Sequence, residues 1–126
     1  MTTKEPLKDL HSQHPVPVVW RDTYSEIVER FVDGDYGLER SVQHVLPISE
    51  ETAAQISGYI ADYGETLVQL DESVWDSSVS QWLGDRWEVL VDLCTESEGI
   101  SDMILHSFVR ENEDGFQYKV HLVYVP

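Results

Sequence analysis

The chain has little that could cross-link it or hold it in a membrane. It contains a single cysteine, Cys94, among its 126 residues, so no disulfide can form within it. No apolar run approaches the roughly 20 residues that a membrane-spanning helix needs, and the first five residues do not resemble a secretory signal. We therefore expect a cytoplasmic protein that does not contact a membrane, with Cys94 as a small buried hydrophobic residue.

Basic residues are also scarce. Eight Lys and Arg stand against 24 Asp and Glu, which gives a net charge of −16, and the second half of the chain holds the larger part of the excess. A negative field of this size repels nucleic-acid backbones and anionic membranes and attracts basic proteins. The composition therefore predicts a basic protein partner and no direct binding to DNA or RNA.

The usual enzyme motifs are missing. The sequence has no glycine-rich phosphate loop, no serine nucleophile elbow, no His-Glu-x-x-His and no pair of cysteines. Cys94 lies between Asp92 and Glu96, which is not the electropositive setting that activates a thiolate. We predict that the protein is not an enzyme and that it uses no metal or other cofactor.

Apolar residues are densest near the end of the chain, where three strands are predicted over Trp87–Cys94, Asp102–Arg110 and Phe116–Tyr124. A four-residue loop that pairs Glu111 with Phe116 brings the apolar positions of all three strands to one face. A two-residue Asp-Gly turn would shift this pairing by two positions and keep the same faces. The predicted core face consists of Trp87, Val89, Val91, Leu93, Met103, Leu105, Val109, Tyr118, Val120, Leu122 and Tyr124.

This register also predicts that His106 lies opposite His121 and that Leu105 lies opposite Leu122. The second face of the sheet mixes apolar and polar residues. Its members are Leu90, Ile104, Phe108 and Val123 among Glu88, Asp92, His106, Lys119 and His121. Either a helix or the N-terminal segment covers the apolar members, which is the simpler expectation, or they form an exposed docking patch with an acidic rim.

Two helices are predicted before these strands. Pro15–Trp20 is expected to be an extended entry segment because of its prolines. Thr23 and Glu26 have the spacing of a capping box at the start of the first helix, and Gly34 is placed to end it. The second helix is predicted between an N-cap serine and a terminal glycine, over 49–64.

The remaining segments complete an α+β prediction. Thr66–Leu70 is predicted as a short strand beside the three long ones, and a third helical segment carries both Trp75 and Trp82. We expect residues 1–14 to be a flexible N-terminal arm and residues 15–126 to form a single α+β domain. Its sheet would be mostly antiparallel, with two to three helices packed mainly on one face.

The candidate partner-binding residues lie in the acidic loop 96–102 and on the second face of the sheet. They are Glu88, Asp92, Glu96, Glu98, Asp102, His106 and His121. The carboxylates among them would contact basic groups of the partner.

Two alternative functions use the second face of the sheet. In one, Asp92, His106 and His121 bind a metal ion or a small molecule. In the other, the apolar residues of that face join copies of the chain into a homo-oligomer. The sequence is compatible with either a monomer or a dimer. The residues that would form this contact are Leu90, Ile104, Phe108 and Val123.

Several motifs are also specific enough to suggest a family. They are Trp75-x-x-Ser78-x-x-x-Trp82, Trp87-x-Val89-x-Val91-Asp92-Leu93-x-Thr95, Glu98-Gly99-x-Ser101-Asp102 and the ending His121–Pro126, with Gly34-Asp35-Tyr36 and Tyr63-Gly64-x-Thr66-Leu67 upstream. Over most of residues 16–126 the chain resembles a family of small acidic bacterial proteins classed only as a domain of unknown function.

That family is similar in size, acidity and α+β pattern to immunity proteins, which neutralise polymorphic or contact-delivered bacterial toxins. The similarity is an analogy at the level of architecture. It implies that the protein occludes a basic toxin domain through electrostatically steered docking. An acidic binding protein of this kind is the leading functional hypothesis.

Overall fold

A computed structural model describes residues 5–126, and residues 1–4, the beginning of the predicted arm, lie outside the described residues. Within that range the chain forms two α-helices, one short 3-10 helix and six strands. In chain order these are β1 (His14–Pro15), α1 (Val18–Val32), α2 (Glu50–Tyr63), β2 (Leu67–Val68), the 3-10 helix (Glu72–Asp76), β3 (Val79–Trp82), β4 (Trp87–Thr95), β5 (Gly99–Asn112) and β6 (Gly115–Tyr124).

The six strands form one sheet, and the three predicted long strands, β4, β5 and β6, make up most of it. The strand order is β1-β3-β4-β5-β6, and β2 pairs with β4 beyond the end of β3. Every pairing between these strands is antiparallel. Both helices lie on one side of the sheet, so the predicted α+β fold is confirmed.

The core lies between the helices and the sheet face that carries the odd-numbered residues of β4 and β5. The odd-numbered residues within 87–95 and 101–109 are buried, because successive side chains of a strand point to opposite faces. An edge-to-face aromatic contact joins the two layers, with the ring of Trp20 in α1 5.2 Å from that of Trp87 and 5.4 Å from that of Phe116. The remaining buried residues of α1 are Tyr24, Ile27, Val28 and Phe31.

The β5–β6 hairpin follows the predicted register only as far as its middle. Glu111 pairs with Phe116 as predicted. A β-bulge then inserts His121 as an extra residue, so that His106 pairs with Leu122. The predicted pairing of His106 with His121 is wrong because strict alternation leaves no place for an inserted residue.

The bulge exchanges the two faces for the last residues of β6. Val123, predicted on the second face, is fully buried and pairs with Leu105, whereas Leu122 and Tyr124 are only partly buried. The predicted core positions of Leu122 and Tyr124 are therefore wrong. Helix α2 fixes the new register, because the Gln55 side chain donates to the Val123 carbonyl (2.8 Å) and accepts from its N–H (3.3 Å).

Helix α1 begins earlier than predicted. It starts at Val18, and Pro17 occupies the N-cap position without a side-chain hydrogen bond that caps the helix. Thr23 therefore lies inside the helix, and the capping box predicted with Glu26 is wrong. The segment predicted as extended is helical from Val18 onward, because proline is well tolerated where a helix begins.

Helix α2 agrees with the prediction at both ends. The Ser49 hydroxyl accepts from the backbone N–H of Thr52, and two glutamates, Glu50 and Glu51, occupy the first turn, where the helix dipole favours them. Gly64 ends the helix in the left-handed conformation with φ of 84°.

The third helical segment is only partly helical. The 3-10 helix carries the buried Trp75, whereas Trp82 lies in β3 and pairs with Trp87. The prediction of one helix with both tryptophans is wrong, because a spacing of seven residues suits one helix face as well as two separate elements.

The described part of the predicted arm lies against the sheet. His14 pairs with Ser80 of β3, and the indole N–H of Trp87 donates to the Leu7 carbonyl at 3.0 Å. These contacts join residues 5–14 to β3 and β4. Across residues 5–126, neither helix has the length and apolar character that crossing a bilayer requires.

Candidate functional site

The sheet face opposite the helices, called here the open face, carries most of the predicted site residues. Its apolar members Leu90, Ile104 and Phe108 are partly exposed, and α1 and α2 both pack on the other side. The expectation that a helix covers these residues is therefore wrong. Val123 is buried on the core side, so the apolar set predicted for self-association loses one of its four members.

Charged residues lie at both ends of the long strands, and the basic ones lie at one end only, together with Asp85, Glu111, Glu113 and Asp114. The acidic end, defined by Glu96, Glu98 and Asp102, lies at the β4–β5 turn, and all three residues are exposed. The three Lys and Arg residues of the second half of the chain belong to the opposite end of the sheet. They are Arg86, Arg110 and Lys119. At 3.3 Å per residue, the eight positions of β5 from one end to the other span roughly 26 Å.

Hydrogen bonds within the acidic end hold Glu98 in place. Its carboxylate accepts from the Tyr63 hydroxyl, with both oxygens at 2.9 Å, and from the Thr95 hydroxyl at 2.9 Å. The Tyr63 oxygen also accepts from the Asp102 backbone N–H at 3.3 Å. Glu98 therefore positions the turn, which leaves the side chains of Glu96 and Asp102 to face solvent.

The motif Glu98-Gly99-x-Ser101-Asp102 has a structural explanation. Gly99 takes φ of 74°, which L side chains rarely adopt. The buried Ser101 hydroxyl donates to the Leu93 carbonyl (2.8 Å) and accepts from the Met103 N–H (3.1 Å), joining β4 to β5. These contacts shape the turn, and the motif as such does not require a ligand.

The two histidines are neighbours although they are not paired. The bulge at His121 places its ring 5.1 Å from that of His106, and His106 Nε2 lies 3.0 Å from the Glu88 carboxylate. Partial burial lowers the pKa of His121, His106 and Lys119 lower it further, and Glu88 opposes them.

Asp92 does not join this group. It is hydrogen-bonded through its carboxylate to the Ser77 hydroxyl at the end of the 3-10 helix. Over residues 5–126 no group of three or more His, Cys, Asp or Glu side chains could hold a metal ion, and Asp92, His106 and His121 do not form one.

The exposed edge of β6 is occupied by other parts of the chain. The backbone of Tyr118 accepts from the Leu46 N–H and donates to the His44 carbonyl, both at 2.9 Å. Gln55 pairs with Val123 farther along the same edge. Because these backbone groups already have partners, addition of a foreign strand here is disfavoured.

The basic end of the sheet, defined by Arg86, Arg110 and Lys119, was not predicted from the sequence. Its signal was present, because Arg110 and Lys119 share a face in the predicted register and Arg86 immediately precedes β4. The structure places them with His121 around one concavity. This arrangement depends on the bulge and on Leu46, whose N–H is hydrogen-bonded to Tyr118 of β6.

Comparison with known proteins gives the family and no more. No curated protein and no solved structure matches the chain. Residues 28–126 match the family model described as a domain of unknown function, DUF7668. The motifs of the sequence predicted such a domain, and this level of the resemblance is confirmed. The chain belongs to the DUF7668 family.

Proposed function

We propose that the protein is a small acidic binding protein of the cytoplasm that neutralises a basic toxin domain by covering it, as an immunity protein does. One observation carries the proposal: the exposed carboxylates of Glu96 and Asp102 form no ion pair with any residue in the range 5–126. Unpaired charges of one sign on a shaped turn suit a partner of the opposite sign.

The turn is well organised for docking. Hydrogen bonds from Tyr63 and Thr95 to Glu98 hold its backbone, so little conformational entropy would be lost on binding. Ile100, which follows the turn in β5, is 41 % exposed and is flanked in sequence by the acidic residues. An apolar anchor with a charged rim is the arrangement that protein interfaces commonly show.

The other candidate residues would have different roles. Glu98 is a positioning residue for the turn rather than a direct contact. Glu88 and His106 are engaged with each other on the open face and would lie toward the periphery of the interface. The net charge of −16 would accelerate the encounter with a basic domain, more strongly at low ionic strength.

The test begins with the product of the reading frame adjacent to this one. Association is measured by calorimetry, and protection is measured by co-expression. We expect the double variant Glu96→Gln/Asp102→Asn to weaken binding about tenfold at low salt, since a close charge pair contributes roughly 1 kcal/mol or less at the surface. Glu39→Gln/Glu113→Gln removes the same two charges from exposed sites elsewhere and should change binding less than about twofold.

Two results would contradict the proposal. One is the absence of both association and protection with the neighbouring product. The other is an equal loss of affinity in the two double variants, which would show that overall charge rather than the acidic end drives binding.

A further inference from the structure

We propose that the basic end of the open face is a binding site for a small organic phosphate. A concavity of about 520 Å³, called here the basic pocket, lies there over β5 and β6, beside the turn between β3 and β4. Its lining includes Arg86, Phe108, Arg110, Lys119 and His121, with Leu46 at one side. This inference goes beyond the proposed function and does not depend on it.

The first reason is the distribution of charge. Three of the eight Lys and Arg of the chain line this one concavity, and among residues 5–126 no Asp or Glu lines it. Charges more than about 8 Å away are largely screened at physiological ionic strength, so the local potential depends mainly on these three cations and on Asp85 beside them. A strongly acidic chain here gathers three cationic side chains around one concavity.

The cations are only weakly neutralised. The exposed Asp85 carboxylate lies 3.2 Å from Arg86 and 3.7 Å from Arg110, and surface ion pairs of this kind are weak. Lys119 forms no ion pair with any residue in the range 5–126. A dianionic phosphate could replace Asp85 as the partner of both arginines.

The second reason is that the fold positions these groups. The Arg86 guanidinium lies 4.7 Å from the centre of the Phe108 ring, a cation–π contact that orients it. Lys119 pairs with Phe108 across the hairpin, and Arg110 is two residues farther along β5. The bulge brings the His121 ring within 5.5 Å of Phe108.

The chemistry of the lining selects the ligand class. Arginine offers a planar fork of donors that matches phosphate oxygens, and lysine adds a mobile point charge. Phe108 and Leu46 provide apolar surface for the organic part of the ligand. The volume also falls within the range typical of small-molecule sites, roughly 300–1,000 Å³.

A larger concavity between the end of α1 and the start of α2 lacks these properties. It measures about 710 Å³, and its charged lining is mostly acidic, with Asp33, Asp35, Glu39 and Glu50. Its arginine, Arg40, is already paired with Asp33 at 2.8 Å. An anion is favoured in the basic pocket and disfavoured here.

The test is a titration of the ¹⁵N-labelled protein with phenyl phosphate, followed by amide chemical shifts, with inorganic phosphate and phenol as separate probes. We expect saturable shifts centred on Phe108, Arg110, Lys119 and His121, and affinity for phenyl phosphate at least several-fold above that for either probe. The loss of one charge-assisted hydrogen bond is expected to weaken binding about tenfold in Lys119→Gln.

Lys8→Gln is the matched control, because it removes the same charge from another exposed lysine, and it should change affinity less than about twofold. The amide spectrum of each variant reports whether its fold is intact, and Arg110→Gln provides a second variant if Lys119→Gln is perturbed. The absence of saturable shifts up to about 10 mM phenyl phosphate would overturn the proposal. So would an equal effect of the two lysine variants, or equal affinity for inorganic and phenyl phosphate.

Discussion

The two faces of the sheet are built from the same alternating strands and differ in what their side chains do. On the covered face, Val91 and Leu105 are fully buried beneath the helices. On the open face, Leu90 and Ile104 are partly exposed and lie among charged residues. Stability is therefore concentrated on one face, which leaves the other free to carry charge. Substitutions on the covered face should therefore affect stability more than substitutions on the open face.

The largest expected effect is a core truncation. Leu105→Ala on the covered face should lower the free energy of unfolding by about 2–5 kcal/mol, because it removes fully buried methyl groups and leaves a cavity. Leu90→Ala on the open face should cost about 1 kcal/mol or less, because its side chain is already partly hydrated. Urea denaturation of both variants measures the difference, and equal losses would refute the division between faces.

The next effect concerns a buried hydrogen-bond chain that runs from α1 into the hairpin. The Tyr24 hydroxyl donates to the Ser107 hydroxyl, which donates to the Lys119 carbonyl, both at 3.0 Å. Ser107→Ala should cost about 1–3 kcal/mol, since it leaves the Tyr24 hydroxyl buried without its acceptor. Tyr24→Phe should cost less, since Ser107 keeps Lys119 as its acceptor.

Denaturation of the two single variants and the double variant checks this expectation, and the double variant should lose less than the sum of the singles. Burial raises the pKa of the Tyr24 hydroxyl, so the group stays protonated in the folded protein. In the unfolded chain it ionises above about pH 10, so its contribution to stability is present below that pH and is lost as the pH rises. Tyr24→Phe should show a shallower alkaline loss, and additive single effects would argue against a coupled chain.

A smaller effect should distinguish the positioning residue of the acidic end from its solvent-facing neighbour. Glu98→Ala removes the acceptor of the Tyr63 and Thr95 hydroxyls and should lower the free energy of unfolding by about 1 kcal/mol. It should also make amide exchange in the turn faster. Glu96→Ala should change the free energy of unfolding by no more than about 0.5 kcal/mol. Hydrogen exchange of the Gly99 region measures both, and similar exchange in the two variants would remove the positioning role of Glu98.

The smallest effect is a titration on the open face. The pKa of His121 should lie below its usual value of about 6.5, because burial and the charges of His106 and Lys119 disfavour the imidazolium. Folding therefore favours the neutral imidazole. Its contribution to the free energy of unfolding is lost as the pH falls from about 6.5 toward the pKa of the folded state.

Lys119→Gln should raise the pKa of His121, whereas Glu88→Gln should lower it further, because these two residues act on it with opposite signs. Proton NMR of the imidazole measures both shifts. An unchanged pKa in both variants would show that the ring does not sense these charges, which would weaken the electrostatic description of the basic pocket.

Local signals account for much of what was predictable. Ser49 and Gly64 identify the ends of α2 because capping is read from single residues. Strict apolar alternation identifies β4, and the predicted short strand over Thr66–Leu70 is present as Leu67–Val68 beside β4. The acidic turn between β4 and β5 was likewise visible, because every residue of it lies within one stretch of chain.

Signals with two local interpretations led to the wrong predictions. Thr23 and Glu26 have capping-box spacing, yet helical residues at i and i+3 have the same spacing. Trp75 and Trp82 fit one helix face and equally fit a 3-10 turn followed by a strand. In both cases an aromatic residue packs on Trp87 of β4, Trp20 from α1 and Trp82 from the neighbouring strand β3.

The sequence alone determined the fold class, the three long strands, the second helix and the excess of negative charge, because each follows from composition or from residues close together in the chain. Tertiary structure decided the bulge at His121, the open state of one sheet face and the gathering of Arg86, Arg110 and Lys119 around one concavity. A bulge forms where distant partners, here Gln55 of α2 and the buried side of Val123, stabilise a shifted register. Its position depends on the energy of packing between elements, which no local pattern contains.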